Sequence, residues 1–184
     1  MENNIEVEVS IRPRVGSDIV EAAAALKEVH KSDGYPVEGV DYPAEWLTPA
    51  GLLGAWVAEA AGRVVGHVAV AEPNGEEAVA LWADLNGVDM GRVGVLARLF
   101  VLSEMRGRAV GERLTRAAQA YASSMGLRLV LDVMAKDSAA IRLYERLGWR
   151  RIGRIDHEFG NGCTVDALAY VSPESARLPG PEPS

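Results

Sequence analysis

The run Leu99, Phe100, Val101, Leu102, Ser103, Glu104, Met105, Arg106, Gly107, Arg108, Ala109, Val110, Gly111 constrains this chain more than any other stretch. The apolar residues from about Val93 to Val101 predict a strand, and the segment from Arg106 to Gly111 opens a helix. A strand that turns directly into a helix presents the unpaired N–H groups and the positive end of the helix's first turn. Small residues at Gly107, Ala109 and Gly111 let the backbone come close to a ligand, and Arg106 and Arg108 add formal charge beside those donors. Such a junction suits a bulky pyrophosphate, held mostly by main chain with the arginines as clamps. Two other phosphate cradles are excluded. A P-loop needs Lys followed by Ser or Thr after its last glycine, whereas Gly111 is followed by Glu112 and Arg113. A dinucleotide fingerprint needs G-x-G-x-x-G, whereas Gly107 and Gly111 are spaced G-x-x-x-G.

Length and composition bound the rest. A chain of 184 residues accommodates one domain with a substantial core. We expect that domain to span residues 1–171, followed by a disordered proline-rich tail over 172–184 that contains Pro173, Pro179, Pro181 and Pro183. The single cysteine, Cys163, excludes an internal disulfide and a cysteine-rich zinc site, and fits a reducing, cytoplasmic setting. The first ten residues carry no signal-peptide pattern, and no segment approaches the length of a membrane span. A formal charge of -7 argues against nucleic acid as a partner and is compatible with a cationic acceptor such as an amine.

Along the chain, the alternation of Ile5, Val7, Val9 and Ile11 with polar residues predicts a half-buried strand ended by Pro13. Ser17 or Asp18 then caps a helix with Ile19, Ala22, Ala23, Leu26 and Val29 on one face. The Gly- and Pro-rich stretch from Ser32 to Gly54 is irregular, with one short helix near Pro43 to Leu47; its aromatics Tyr35, Tyr42 and Trp46 are candidates either for substrate contact or for stapling the loop to the core. Ala55–Glu59 and Arg63–Ala71 form a hairpin, with His67 among valines as a packed residue. A short helix over residues 76–87 precedes the central strand, which is apolar on both faces except at Arg98. The following helix runs from about Val110 to Met125 with Leu114, Ala117, Ala118, Tyr121 and Met125 as its buried stripe. Leu127–Met134 is a parallel strand reached by a right-handed crossover. Asp137 or Ser138 caps a last helix, and two strands, about Arg150–Ile155 and Thr164–Val171, close the domain around a turn at Asn161-Gly162.

Two segments carry a family resemblance. The run from Arg106 to Gly111 resembles the (Arg or Gln)-x-x-Gly-x-(Gly or Ala) signature of the GNAT superfamily of N-acetyltransferases, with Ala109 standing at the first glycine. That change is mild if the position is helical and costly if it needs a positive φ. Downstream, the run from Asp137 to Trp149 is similar to the family's Asn-x-x-Ala-x-x-x-Tyr-x-x-x-Gly-Phe segment, with Asp137 replacing asparagine and Trp149 replacing phenylalanine. The resemblance covers roughly residues 93–155.

It implies an α/β fold with a central mixed, mostly antiparallel sheet of six to seven strands, a parallel, splayed central pair and flanking helices. It also implies acetyl-CoA as cosubstrate, no metal, and a small-molecule or protein amine as acceptor, and it allows a homodimer. On that basis the backbone of Leu99, Phe100 and Val101 pairs with the pantetheine amides, and a main-chain N–H near Val101 faces the thioester oxygen. Arg106, Gly107, Arg108, Ala109, Val110 and Gly111 hold the diphosphate, and Asp137, Ala140 and Tyr144 complete the cofactor site. Tyr144 stands at the position of the general acid: a phenol with a reference pKa of about 10 is protonated at neutral pH and can donate to the departing thiolate. Asp137 is foremost the N-cap of the helix that holds Tyr144. Glu72, Glu104 and Asp132 remain alternatives for the base. Cys163 lies far in sequence from both motifs, which favours direct attack in a ternary complex over an acetyl-cysteine route. The other class of function is a non-catalytic acyl-CoA binding module with the same cradle.

Overall fold

Strand β1 (Val9–Pro13) keeps the period-two pattern, and its Pro13, with no N–H to donate, is tolerated because β1 is the outermost strand. The computed structural model describes residues 7–87, 92–159 and 162–174. After β1 come α1 (Ile19–Asp33), α2 (Pro43–Leu47), β2 (Leu52–Ala60), β3 (Arg63–Ala71), α3 (Glu77–Asn86), β4 (Val93–Val101), α4 (Val110–Ser124), β5 (Arg128–Met134), α5 (Ser138–Arg146), β6 (Arg150–Phe159) and β7 (Cys163–Val171). The strands form one seven-stranded sheet in the order β1-β2-β3-β4-β5-β7-β6. Only β4 and β5 pair in parallel; every other neighbouring pair is antiparallel. No helix among the described residues is long and apolar enough to cross a membrane.

Helices cover both faces, so β3 is buried from Val64 to Ala71. Gly66 faces α4, where a Cβ would lie 3.1 Å from Leu114 Cδ1. The next residue, His67, points to the opposite face. There Arg14 Nη1 donates both to His67 Nε2 at 2.9 Å and to the carbonyl of Leu47 in α2 at 2.7 Å. The remaining strands of that face are covered by α3, which packs on β5 and β6. Its buried Trp82 lies under the guanidinium groups of Arg128 and Arg150, at 5.3 and 5.6 Å from the ring centroid. Gly153 lets α3 pack closely there, because a Cβ would come within 2.6 Å of Leu81 Cδ2 and the leucine would have to shift.

The central pair opens. β4 and β5 are in register only at Val93↔Arg128, Gly94↔Leu129 and Val95↔Val130. A bulge in β4 accounts for the divergence. Arg98 adopts φ 58, and one more residue separates Ala97 from Phe100 than separates their partners Ala69 and His67. An extra residue bends the bulged strand and increases its twist. His67 secures the bulge by donating from Nδ1 to the Arg98 carbonyl at 2.9 Å. Because arginine can only donate, Nε2 accepts from Arg14, which fixes the neutral tautomer.

Several sequence expectations are corrected. Asp18 stands at the N-cap of α1, but its carboxylate makes no cap bond. It instead accepts the Val15 N–H at 2.8 Å and a bidentate fork from Arg12, both bonds 2.8 Å, and that guanidinium holds its carboxyl below the usual range. Met125 is 59% exposed; the helix ends at Ser124, and the buried stripe is Val110, Leu114, Thr115, Ala118 and Ala122. Strands β6 and β7 extend further into their hairpin than expected, up to the pair Phe159↔Cys163. Ser172 does not begin a disordered tail. It is buried, donates its N–H to the Leu129 carbonyl at 2.8 Å and accepts the Leu129 N–H at 3.1 Å. Ile5, Asn161 and the tail from residue 175 lie outside the described residues.

Ala109, at the N-cap of α4, has φ 57. This is the costly alternative for the residue that replaces the signature glycine, since a Cβ in the left-handed region costs about 1–2 kcal/mol. Ala109→Gly should therefore stabilise the fold by about 1 kcal/mol after allowance for glycine's freer unfolded chain, read as a higher denaturation midpoint at unchanged m-value. Burial pushes His67 down to about 4, against about 6.5 when unfolded. The unfolded chain then binds the proton first as pH falls, so this contribution to stability is intact above pH 6.5 and is lost progressively toward pH 4. Chemical denaturation should show a loss of up to about 3 kcal/mol across that window, and His67→Gln should flatten the slope there although it lowers stability at pH 7.

Candidate active site

Where β4 leaves β5, its backbone polar groups lose their neighbours. The Leu102 N–H donates to the Val65 carbonyl at 2.9 Å, so Gly66↔Val101 is a non-hydrogen-bonded pair. Alternation therefore turns the main chain of Val101, and of Leu99 two residues earlier, away from β3 and into the gap. Phe100 is the opposite case. Its backbone faces β3, and its ring stacks on His67 at 5.5 Å with an interplanar angle of 17°. Of the three strand residues expected to meet the cofactor, Leu99 and Val101 offer an edge with no strand partner, where the Val101 carbonyl accepts only from Arg106 among the described residues, and Phe100 supports it from behind.

The turn after β4 is pinned by buried Leu102 and Met105, and the chain from Arg106 to Ala109 is exposed. Gly107, at φ 72, and Ala109 bring it round into α4. The first intrahelical bond is Arg113 N–H to the Ala109 carbonyl at 3.0 Å, so the N–H groups of Val110, Gly111 and Glu112 precede it at the positive end of a 15-residue helix. Gly111 lies where the helix passes α5 and the end of β4; a Cβ would sit 3.4 Å from Leu143 Cδ2 and 3.8 Å from Val101 Cγ2. The two arginines differ. Arg106 is engaged, in an ion pair with Asp33 and in a 3.3 Å bond to the Val101 carbonyl. Arg108 is exposed and makes no hydrogen bond or ion pair among the described residues.

On α5, Asp137 Oδ1 accepts the Ala140 N–H at 3.1 Å, the N-cap geometry. That bond uses the Ala140 N–H within the helix. Tyr144 is 5% exposed and packs against Trp149 and Tyr170 at centroid distances of 5.5 and 6.3 Å. Its hydroxyl makes no hydrogen bond to the described residues. Burial first, then the charges of Asp137 and Asp132, push its pKa up, so the phenol stays protonated.

Across the sheet, Tyr35 after α1 meets Trp46 of α2 edge-on at 5.8 Å. Arg98 lies 5.1 Å from the centroid of the same Trp46 ring and donates from Nε to its carbonyl. Tyr35 is pushed up mainly by burial and next by Tyr144, with Glu38 and Asp132 adding to the shift and Arg98 opposing it. The charges of Tyr144, Asp132 and Arg98 thus all reach Tyr35. Tyr42, 72% exposed, makes no ring contact there. Glu104 pairs with Arg63 at 3.4 Å, Glu72 is exposed at the end of β3, and Cys163 is exposed at the β6–β7 hairpin. Sequence reasoning did not single out Arg98 as a site residue; its one signal was being the only charge in an otherwise apolar strand.

A family model described as Acetyltransferase (GNAT) family matches residues 20–149. The chain is 33% identical over 79 residues to N-alpha-acetyltransferase 30 of Schizosaccharomyces pombe, covering 42% of this chain and 51% of that protein. It is 33% identical over 110 residues to the mycothiol acetyltransferase of Thermobispora bispora, covering 58% of this chain and 32% of that protein. The chain thus spans about half or less of the length of these relatives. Among solved structures, Arabidopsis thaliana NAA60 in complex with acetyl-CoA shares the fold, with a TM-score of 0.67 and 21% identity over 89% of this chain and 97% of that one. A splayed parallel pair beside a helix-terminal cradle, together with a family match over most of the chain, identifies this protein as a member of the GNAT family of acetyltransferases.

Proposed function

We propose that the protein transfers an acetyl group from acetyl-CoA to a primary amine by direct attack within a ternary complex. The observation that carries this reading is the unpaired edge of β4 ending at the N-terminus of α4. A pantetheine arm adds to that edge as a strand would, through the main chain of Leu99 and Val101. The diphosphate meets the N–H groups of Val110 and Gly111, the turn at Gly107 and the side chain of Arg108, while Arg106 exchanges Asp33 for a phosphate oxygen or stays to brace the turn. The Val101 N–H, turned into the gap, faces the thioester oxygen as it gains charge.

Positioning is the largest part of this catalysis, because the amine and thioester must meet in line. Attack by the neutral amine forms the C–N bond, the tetrahedral intermediate expels the CoA thiolate, and Tyr144 protonates the departing sulfur, regaining a proton from the nitrogen of the new amide. Asp132, on β5 where the register would continue level with Ala97, is the carboxylate whose charge reaches both tyrosines. It receives the proton of the attacking ammonium, directly or through water.

Release of free CoA thiol, followed with acetyl-CoA and a panel of amines, tests the activity; acetyl-CoA binding without turnover of any acceptor would favour the binding-module alternative. Initial-rate patterns should intersect, and parallel ping-pong lines would overturn direct attack. Tyr144→Phe should lower kcat by about 10²–10³-fold with little change in the KM for acetyl-CoA, the signature of a group that acts on the leaving thiolate.

A further inference from the structure

Arg98 sits in an expensive place for a cation. Its backbone is held in the left-handed region of the bulge, and its side chain lies against Trp46 with Nε donating to the Trp46 carbonyl. A guanidinium carries five N–H donors. Among the described residues the two terminal nitrogens have no hydrogen bond and no ion pair, and neither is sealed from solvent, so these donors are free to meet a ligand. Glu38 and Glu76 stand near enough to favour its charge, but neither forms an ion pair with it. Burial lowers its pKa, the mark of a cation that has lost water without gaining a counter-ion.

The location gives that unmatched charge a meaning. Arg98 directly precedes the edge formed by Leu99 and Val101, and it stands beside the Tyr35–Trp46 corner on the face covered by α2. The α4 cradle lies on the other face, since Leu114 of α4 meets Gly66 while His67 beside it turns toward α2. A cofactor gripped at α4 and an acceptor entering past α2 would thus approach the gap from opposite sides.

We propose that Arg98 selects the acceptor: it binds a carboxylate that the acceptor carries beside its reactive amine, while Trp46 and Tyr35 hold the part between. This rests on the acetyl-transfer reading above and narrows its substrate class to amino acids and to peptides with an acidic residue next to the N-terminus. The planar fork of a guanidinium matches a carboxylate in two parallel hydrogen bonds, whereas a neutral amide offers one acceptor and no charge. The site should therefore prefer an acid over its amide by roughly 10²-fold in kcat/KM, less than a fully enclosed polar pocket achieves because Arg98 is only partly buried.

The experiment measures CoA release with free amino acids of increasing amine-to-carboxylate distance, with their amides and decarboxylated amines, and with peptides beginning in acidic or neutral residues. The wild type should favour the carboxylate-bearing member of each pair through the acceptor KM. Arg98→Gln should bring the acid-to-amide ratio close to one, and Arg98→Lys should restore part of it. The free amino acid and peptide arms distinguish the two sources of the carboxylate. Equal use of acids and amides by the wild type, or a preference that survives Arg98→Gln in protein that still binds acetyl-CoA by calorimetry, overturns the assignment of Arg98 alone. If acetyl-CoA binds and no acceptor releases thiol, the acetyl-transfer reading fails. Thermal shifts with CoA present then decide the role of Arg98: stabilisation by acids over amides that is lost in Arg98→Gln supports it, and no such difference refutes it.

Discussion

One hydrogen bond sets the geometry on which the rest of this structure depends: His67 Nδ1 to the carbonyl of Arg98. The bulge it secures coincides with the point where β4 turns away from β5, and that divergence exposes main chain that a closed sheet would consume. The Arg14 bond works only while the ring is neutral, because Nε2 must accept from a guanidinium that in turn donates to the carbonyl of Leu47. One buried imidazole therefore ties the chain just after β1, α2, β3 and the bulge together. A protonated ring would present two donors to a neighbour that has only donors, and α2 and the bulge would lose a common anchor.

Two of the three non-glycine residues with positive φ among the described residues flank the opening, the third being Ala61 in the β2–β3 turn. The non-glycine residues Arg98 and Ala109 both have positive φ, one at the start of the unpaired edge and one at the N-cap of α4. Each would relax by adopting ordinary strand or helix geometry, and either change would move the edge relative to the helix terminus. That both persist means the surrounding packing determines them: His67 and Trp46 at the first, buried Met105 and Val110 at the second.

The order of elements was legible because it is written in local signals. Gly126 stops α4, the apolar run of β4 reads as a central strand, and the spacing from Asp137 to Trp149 fixes a capped helix. What could not be read depended on partners remote in sequence. Asp18 looked like a cap because serine, threonine and aspartate usually cap, yet Arg12 and Val15 claim its carboxylate. Ser172 looked like the start of a proline-rich tail, yet Leu129 pairs with it from 43 residues away. The bulge needs His67, 31 residues from Arg98, and nothing in the run from Val93 to Val101 announces it. Ala109 could be assigned either a helical or a left-handed conformation until the turn around it was known.

The support behind Tyr144 bears on what its hydroxyl can do. Its ring is fixed by Trp149 and Tyr170, and the chain just after it is fixed by the Trp149 N–H bonded to the Tyr144 carbonyl at 3.0 Å. Tyr170, fully buried, donates its own hydroxyl to Glu145 at 3.0 Å, which keeps the helix from rotating about its axis. A phenol held this firmly loses little freedom when it meets a ligand atom, so a hydrogen bond it forms in the reaction proposed here carries little ordering cost. Burial keeps the phenol protonated, while its hydroxyl makes no hydrogen bond among the described residues and is not sealed from solvent, so its proton is free to go to a departing sulfur in that reaction.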